Sequence, residues 1–357
     1  MKKKVCMVVP SFSAKGGIAT VVSGYKGSEL EKQYNIKYIE SYCDGSKVKK
    51  IFKAIRAYFS FLKEMVINKP DLVHIHSSFG GSFYRKLPFV YMASIFNIPV
   101  INHIHGSEIA NLYINASKKK KKLVENCFDK CRYLVVLSEE WKKNLEVVKT
   151  KTPKIVIENY STIHKECLKR KNHQDKTILF LGFITELKGC FNIPDIAKKV
   201  IEQNANVKFI LAGSGEIEKL QDILEEKGIS QYFSFPGWVR KEEKENLLKN
   251  ADIFLLPSYT EAMPMSILEA MGYGLPIVTT NVGGIPQLVE DGKNGYMTEP
   301  GNIDGFVKAI LKLFGNDELI YDMGKEGIEK ACEKYSLEKH LEKVCTLYEN
   351  ILGEGLE

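Results

Sequence analysis

Residues 257–287 read PSYTEAMPMSILEAMGYGLPIVTTNVGGIPQ. The apolar run Ile253–Leu256 just ahead of them has the length of a buried strand, and Pro276–Thr279 near their end is a second. Between the two lie a loop closed by Glu261 and an amphipathic stretch predicted to start a helix near Met263-Pro264, since proline suits a first helical position. Strand, helix and strand in this order are the repeating unit of a parallel sheet covered by helices.

The same alternation extends outward from this stretch in both directions. Thr177–Leu181 and Lys208–Ala212 read as further strands of the second half, and Val5–Val9, Leu72–Ile75, Val100–Ile104, Leu134–Leu137 and Ile155–Ile157 as strands of the first. Glu158 to Lys176 is polar and aperiodic and reads as a linker. At 357 residues the chain is too long for one ordinary core. The expected architecture is therefore α/β with two doubly wound domains, residues 1–165 and 166–335. Residues 336–357 are read as a terminal helix that leaves the second domain and packs back on the first.

In open parallel sheets ligands sit beyond the carboxyl ends of the strands, so the loops there are the candidate sites. Gly16-Gly17 follows the first strand, and His103 with His105-Gly106-Ser107-Glu108 closes another; Gly213-Ser214-Gly215 and Pro257 to Glu261 hold the same place in the second half. A helix starting near Met263 would turn unpaired N–H groups and a positive dipole end toward a diphosphate. Glu269, two turns in, is acceptor-only when ionised and can chelate the paired hydroxyls of a ribose. A solvent-facing Glu is the simpler reading of Glu269 alone. It interrupts the apolar face of Met265, Leu268 and Met271 beside a strand-end loop, however, and that favours a ligand. Gly283-Gly284 would let the backbone approach phosphates.

With these residues in place, the chain resembles the retaining glycosyltransferases of family 4, the group 1 glycosyl transferases. Their GT-B fold sets two Rossmann-like domains face to face across a cleft. The resemblance rests on Glu261 and Glu269 separated by seven residues, on the Ala270 to Pro276 run, and on Gly182 to Gly189. Gly213-Ser214-Gly215, Gly237-Trp238-Val239, Gly283-Gly284 and Asp291-Gly292 to Gly295 complete it. It implies a nucleotide-sugar donor in the second domain and an acceptor in the first. Glu269 would hold the ribose, Glu261 hydroxyls of the transferred sugar, and Lys188 the diphosphate. Gly213, Val239, Ala262 and Met263 would complete the donor site. Gly16 and Gly17 would form the glycine loop over the phosphates, and His105 would contact the donor sugar near the reacting carbon. The sequence departs from the family at Phe183, where arginine is usual, and at Ala262, where glycine is usual.

The expected reaction is transfer from a nucleotide diphosphate sugar, UDP-linked, to a lipid-linked or polysaccharide acceptor. Arg85 and Lys86, after Gly80-Gly81, are candidate acceptor contacts. A nucleotide-sugar epimerase and a non-catalytic partner subunit on the same fold are the alternatives. No Asp-x-Asp pair occurs, so neither a metal nor any other cofactor is expected. His74, His76, His103 and His105 lie near strand ends at alternating spacing; without an accompanying carboxylate pattern they read as strand-end residues rather than as a metal set.

Charge divides the chain. Residues 1–171 hold 32 Lys and Arg against 14 Asp and Glu, a net of +18, while the remainder carries −11. The first half thus faces an anionic partner. Nucleic acid is not expected, because no aromatic-rich basic motif or recognition module is visible. Residues 47–69 form a basic amphipathic helix with Val48, Ile51, Phe52, Ile55, Phe59, Leu62 and Val66 along one side. The expectation is that this side faces the core; the other reading is docking on an anionic membrane surface, helped by Lys118 to Lys122. Lys2 to Val9 is read as a first strand instead of a signal peptide, and no apolar run spans a bilayer. Eight irregularly spaced cysteines, Cys127 and Cys131 among them, read as reduced packing thiols. The expected place is the cytoplasm, peripherally at the inner membrane face.

Overall fold

The computed structural model describes residues 2–106, 113–168 and 175–353. They form two compact units, one of Met1–Asn159 with Leu337–Glu357 and one of Tyr160–Ser336. No described helix is long and apolar enough to cross a membrane.

The first unit is built on a six-stranded parallel sheet. Its strands are β1 (Lys4–Val9), β2 (Asn35–Glu40), β3 (Leu72–Ser77), β4 (Val100–Ile104), β5 (Tyr133–Val136) and β6 (Lys154–Val156), in the order β2-β1-β3-β4-β5-β6. Helices α1 (Gly17–Ser23), α2 (Glu29–Gln33), α3 (Lys47–Lys63), α4 (Gly81–Ile95), α5 (Lys118–Phe128) and α6 (Glu139–Asn144) connect them. β3 and β4 are buried along their whole length, as strands covered on both faces must be.

The second unit repeats the plan with β7 (Lys176–Ile184), β8 (Val207–Gly215), β9 (Phe233–Ser234), β10 (Ile253–Leu256), β11 (Ile277–Thr280) and β12 (Gly295–Thr298), in the order β12-β11-β10-β7-β8-β9. Its helices are α7 (Ile193–Gln203), α8 (Ile217–Glu226), α9 (Lys241–Asn250), α10 (Met265–Gly272), α11 (Ile285–Leu288), α12 (Ile303–Phe314) and α13 (Asp317–Lys334). The chain moves outward from β7 through β8 to β9, then returns to lay β10 on the other side of β7. That reversal opens a crevice at the carboxyl ends of β7 and β10, the place where doubly wound sheets take ligands.

The last helix, α14 (Leu337–Gly353), belongs to the first unit. Tyr348 is fully buried, with its hydroxyl 2.6 Å from Nδ1 of His74 on β3 and its ring edge-on to Tyr34. His340 bonds the Tyr25 hydroxyl at 2.8 Å and the Glu158 carbonyl at 2.6 Å, which ties α14 to both ends of the domain's sequence.

Two expectations need correction. Pro264 is the residue before α10, extended at φ −69° and ψ 120°, and the helix starts at Met265. The large apolar side of α3 does not face the core. The residues buried beneath that helix are Ala54, Ala57 and Phe61, whereas Phe52 is 69% exposed and Phe59 71%. Ala54 and Ala57 let α3 approach its neighbours closely around the buried Phe61, and its other large apolar side chains stand outside.

Candidate active site

In the second unit the sequence motifs converge at the β7/β10 crevice. β7 runs out through Gly182 and Phe183 into a short helical turn, Glu186–Lys188, and Gly189 then turns left-handed at φ 67°. A Cβ on Gly189 would stand 1.9 Å from the carbonyl oxygen of Pro257, so only glycine lets this loop pass so close to the end of β10. The approach brings Lys188 against Glu261: Nζ and Oε1 are 2.6 Å apart. Glu261 is 5% exposed, and its Oε1 also accepts from the Ser258 hydroxyl at 2.8 Å. A carboxylate buried to this degree persists as a charge only when it is paired and hydrogen-bonded.

Ala262 and Met263, both buried, carry the chain from Glu261 into α10. Pro264 at its N-cap offers no side-chain acceptor, so the first-turn N–H groups and the positive end of the dipole suit an anion. Glu269 lies further along α10 with 17% of its side chain exposed, and it pairs with Lys244 of α9 at 2.6 Å. Lys244 was not singled out in the sequence. It sits in the charge run KEEKENLLKN, which looks like an ordinary solvated helix face.

Gly213 is buried in β8 beside Gly182 of β7, and a Cβ there would meet the Gly182 carbonyl oxygen at 1.8 Å. Val239 is half-buried in the loop after β9, next to Trp238. Phe183, at the position where the family usually has arginine, pairs with Trp238 at 5.0 Å between ring centroids. An aromatic pair thus occupies the place of that cation, and Lys188 and Lys244 are the two cations held against Glu261 and Glu269.

The first unit's candidates lie at the carboxyl ends of its own strands. Gly16, at φ 117°, precedes α1, and Gly17 is that helix's first residue. His105 follows β4, and its Nε2 is 2.9 Å from Nδ1 of His76. Ser107 and Glu108 lie outside the described residues. His74, His76, His103 and His105 form a stack, with centroids 4.4 Å apart for His74–His76 and 4.3 Å for His103–His105. Burial holds all four well below the ordinary histidine pKa, His74 and His105 at about 3, and the neighbouring imidazoles push the same way. The rings are therefore neutral at physiological pH. Ring nitrogens of His74, His76 and His103 fall within 4.8 Å of one another.

Arg85 and Lys86 separate. The Arg85 guanidinium lies over the Tyr42 ring at 4.8 Å and is half-buried. Lys86 is only 4% exposed, and its ammonium donates to the Ser41 hydroxyl at 2.6 Å and the Val8 carbonyl at 3.2 Å. The expectation that Lys86 meets an acceptor is corrected: it is an internal tie between β1 and the end of β2, and burial pushes its pKa well down.

Residues 168–330 match the family model described as glycosyl transferases, group 1. That match spans most of the second unit, which is thus similar to the group 1 glycosyl transferases. It is 26% identical over 345 residues to an Escherichia coli UDP-Gal:alpha-D-GlcNAc-diphosphoundecaprenol alpha-1,3-galactosyltransferase, covering 91% of this chain and 86% of that one. It is 25% identical over 292 residues to a poly(ribitol-phosphate) alpha-N-acetylglucosaminyltransferase of Staphylococcus aureus, covering 81% and 57%. The fold is shared with sucrose-phosphate synthase of Thermosynechococcus elongatus at a TM-score of 0.82 and 13% identity, over 99% of this chain and all of that one. The likeness to sucrose-phosphate synthase shows the GT-B fold, and both sequence relatives are themselves named as glycosyltransferases.

Proposed function

We propose that this chain is a retaining glycosyltransferase that binds a UDP-sugar at the β7/β10 crevice and passes the sugar to a lipid-linked or polysaccharide acceptor. The observation that carries the reading is the Lys188–Glu261 pair at the switch point, with Glu269 on the helix behind it. Two acidic groups at different depths can grip opposite ends of one ligand. Glu269 accepts from the ribose hydroxyls, Glu261 from hydroxyls of the transferred sugar, and the α10 N-terminus with Lys188 meets the diphosphate between them. Val239 and Gly213 line the nucleobase side, and the backbone at Ala262 and Met263 faces the phosphates.

As the bond to the diphosphate breaks, negative charge grows on the leaving oxygens. Lys188 and the helix N–H groups are fixed there beforehand, which makes them effective in the transition state. With this charge met by protein groups and no Asp-x-Asp in the sequence, the reaction is assigned as metal-independent. In the first unit, Gly16 and Gly17 are assigned to the phosphates and acceptor, His105 to the donor sugar near the reacting carbon, and Arg85 to an anionic acceptor. UDP as the nucleotide is supported by the Escherichia coli relative's UDP-Gal donor and by the structure of HepE from Anabaena, of the same fold, with UDP and glucose bound. The alpha linkages in both relatives' names agree with retention, since UDP-hexoses of that kind are alpha-configured.

A panel of nucleotide sugars, followed by thermal unfolding and by release of nucleotide, tests the proposal. The true donor raises the melting temperature by mass action and is slowly hydrolysed without acceptor. A panel in which no nucleotide sugar does either would refute it, and isomerisation of the donor alone would favour the epimerase.

A further inference from the structure

Helix α3 turns most of its large apolar side chains away from the protein. Val48, Phe52, Ile55, Phe59 and Leu62, continued by Val66 in the π-helical turn Glu64–Asn68 that follows, recur at spacings of four and three, which sets them in one line, and every one is exposed. The helix is held by a different side. Phe61 is fully buried and meets Phe89 edge-on at 5.0 Å, and the Tyr58 hydroxyl donates to the Arg85 carbonyl at 3.0 Å. The apolar line is thus surplus to the packing of the domain, and a continuous exposed patch of that kind marks an interaction face.

Charge selects the occupant. Residues 47–63 include Lys47, Lys49, Lys50, Lys53, Arg56 and Lys63 and no Asp or Glu. Lys47, Lys49, Arg56 and Lys63 are exposed and enter no salt bridge among the described residues. A second copy of this face would set like charges against one another. An anionic lipid leaflet supplies both complements at once, acyl chains for the phenylalanines and negative headgroups for the lysines.

We propose that α3 lies in the plane of an anionic bilayer, with Phe52 and Phe59 among the acyl chains and Lys49, Arg56 and Lys63 at the headgroups. The inference stands on the first unit alone and does not depend on the donor reading. It also gives the first unit a position. Lys53 bonds Glu40 at the carboxyl end of β2 at 2.6 Å, so docking through α3 holds that end of β2 close to the lipid surface.

Co-sedimentation of the full chain with vesicles tests the proposal. The protein should bind vesicles of mixed phosphatidylglycerol and phosphatidylcholine and leave pure phosphatidylcholine vesicles largely unbound. The double variant Phe52→Ser/Phe59→Ser should lose about tenfold or more of the binding while its melting temperature stays put, because both rings already stand in solvent. Lys49→Glu/Arg56→Glu should also release it. Failure of the wild type to bind anionic vesicles would overturn the proposal, as would undiminished binding by the serine variant. A dimer that the serine variant dissociates, without vesicle binding, would give the face to a second copy and likewise overturn it.

Discussion

Lys188 Nζ lies 2.6 Å from Glu261 Oε1, a bond that ties the loop after β7 to the loop after β10 across the switch point of the second sheet. Glu261 is almost fully buried and Lys188 partly open. The pair therefore has two roles: it neutralises an interior carboxylate, and it holds an ammonium at the crevice where a diphosphate would compete for it.

Replacing Lys188 should reveal both. Lys188→Met leaves Glu261 with the Ser258 hydroxyl and without its cation. A lost partner of a fully buried pair costs several kcal/mol; with Lys188 partly solvated, about 1–3 kcal/mol is expected. Turnover should fall by roughly a hundredfold, the usual cost of removing one fixed group that stabilises a leaving anion. Urea midpoints and kcat/KM measure the two effects, and a variant unchanged in both would contradict the assignment.

Glu269 and Glu261 should separate binding from chemistry. Glu269→Ala removes charge-assisted bonds worth about 1.5–3 kcal/mol, so donor affinity should weaken by about 10- to 100-fold. Glu261→Ala should depress kcat with a smaller change in donor affinity. Lys244→Ala distinguishes a structural partner from a ligand contact: if Lys244 only positions Glu269, the variant should weaken the nucleotide without altering which sugar is accepted. Isothermal titration with UDP and with the full donor separates these cases.

How much of this was legible beforehand depended on burial. The central strands β3 (LVHIHS), β4 (VINHI), β10 (IFLL) and β11 (IVTT) are short runs rich in Val, Ile and Leu, and the sequence shows them plainly. Of the four edge strands only β6 was read, as Ile155–Ile157, and the other three were missed. β2 reads NIKYIE and is largely half-exposed, β12 reads GYMT, and β9 has only two residues, so none carries an apolar run. The periodicity of α3 was correct, but its orientation was not, because an apolar line at helical spacing looks the same facing a core or a bilayer. The signal that could have decided it is the pair of small residues Ala54 and Ala57 on the opposite side. Lys86 and Lys244 were equally hidden, since nothing in a lysine's sequence context shows whether its ammonium is buried or paired across a fold.

Gly189→Ala should be among the most damaging single-methyl changes in the second domain. The added Cβ meets the Pro257 carbonyl oxygen, and the left-handed backbone disfavours alanine by about 1–2 kcal/mol before any clash is counted. The two loops must part, which would also draw Lys188 away from Glu261. Reduced thermal stability together with weakened donor binding is the expected outcome. Gly228→Ala, likewise left-handed but with open space around it, is the control for strain alone.

Transfer should continue in excess EDTA at an undiminished rate, because Lys188 and the α10 N-terminus are assigned to the diphosphate charge. Loss of activity that magnesium or manganese restores would require a metal at the diphosphate and would overturn that assignment.

The histidine stack should make the first domain acid-sensitive in a defined window. In the unfolded chain these histidines titrate near 6.5, whereas in the fold His74 and His105 stay neutral to about 3 and His340 to about 4, all chiefly through burial. His76 and His103 shift the same way. Tyr25 and Tyr348 face the cluster as neutral hydroxyls, and the nearby Lys86 ammonium also disfavours added positive charge. The unfolded state thus binds more protons than the folded state, so stability is fully present above pH 6.5 and falls as pH drops toward 3. The slope is about 1.4 kcal/mol per pH unit for each proton taken up. The interval from 6.5 to 4.5 lies above the ordinary carboxylate range, which isolates the histidines from residues such as Glu40. Trp141 belongs to the first unit and Trp238 to the second, so a Trp238→Phe background leaves one fluorophore that reports this domain. Its urea midpoint should fall steadily across that interval, and less steeply after His103→Phe; a flat profile would mean the stack takes up protons in the fold as readily as in the unfolded chain.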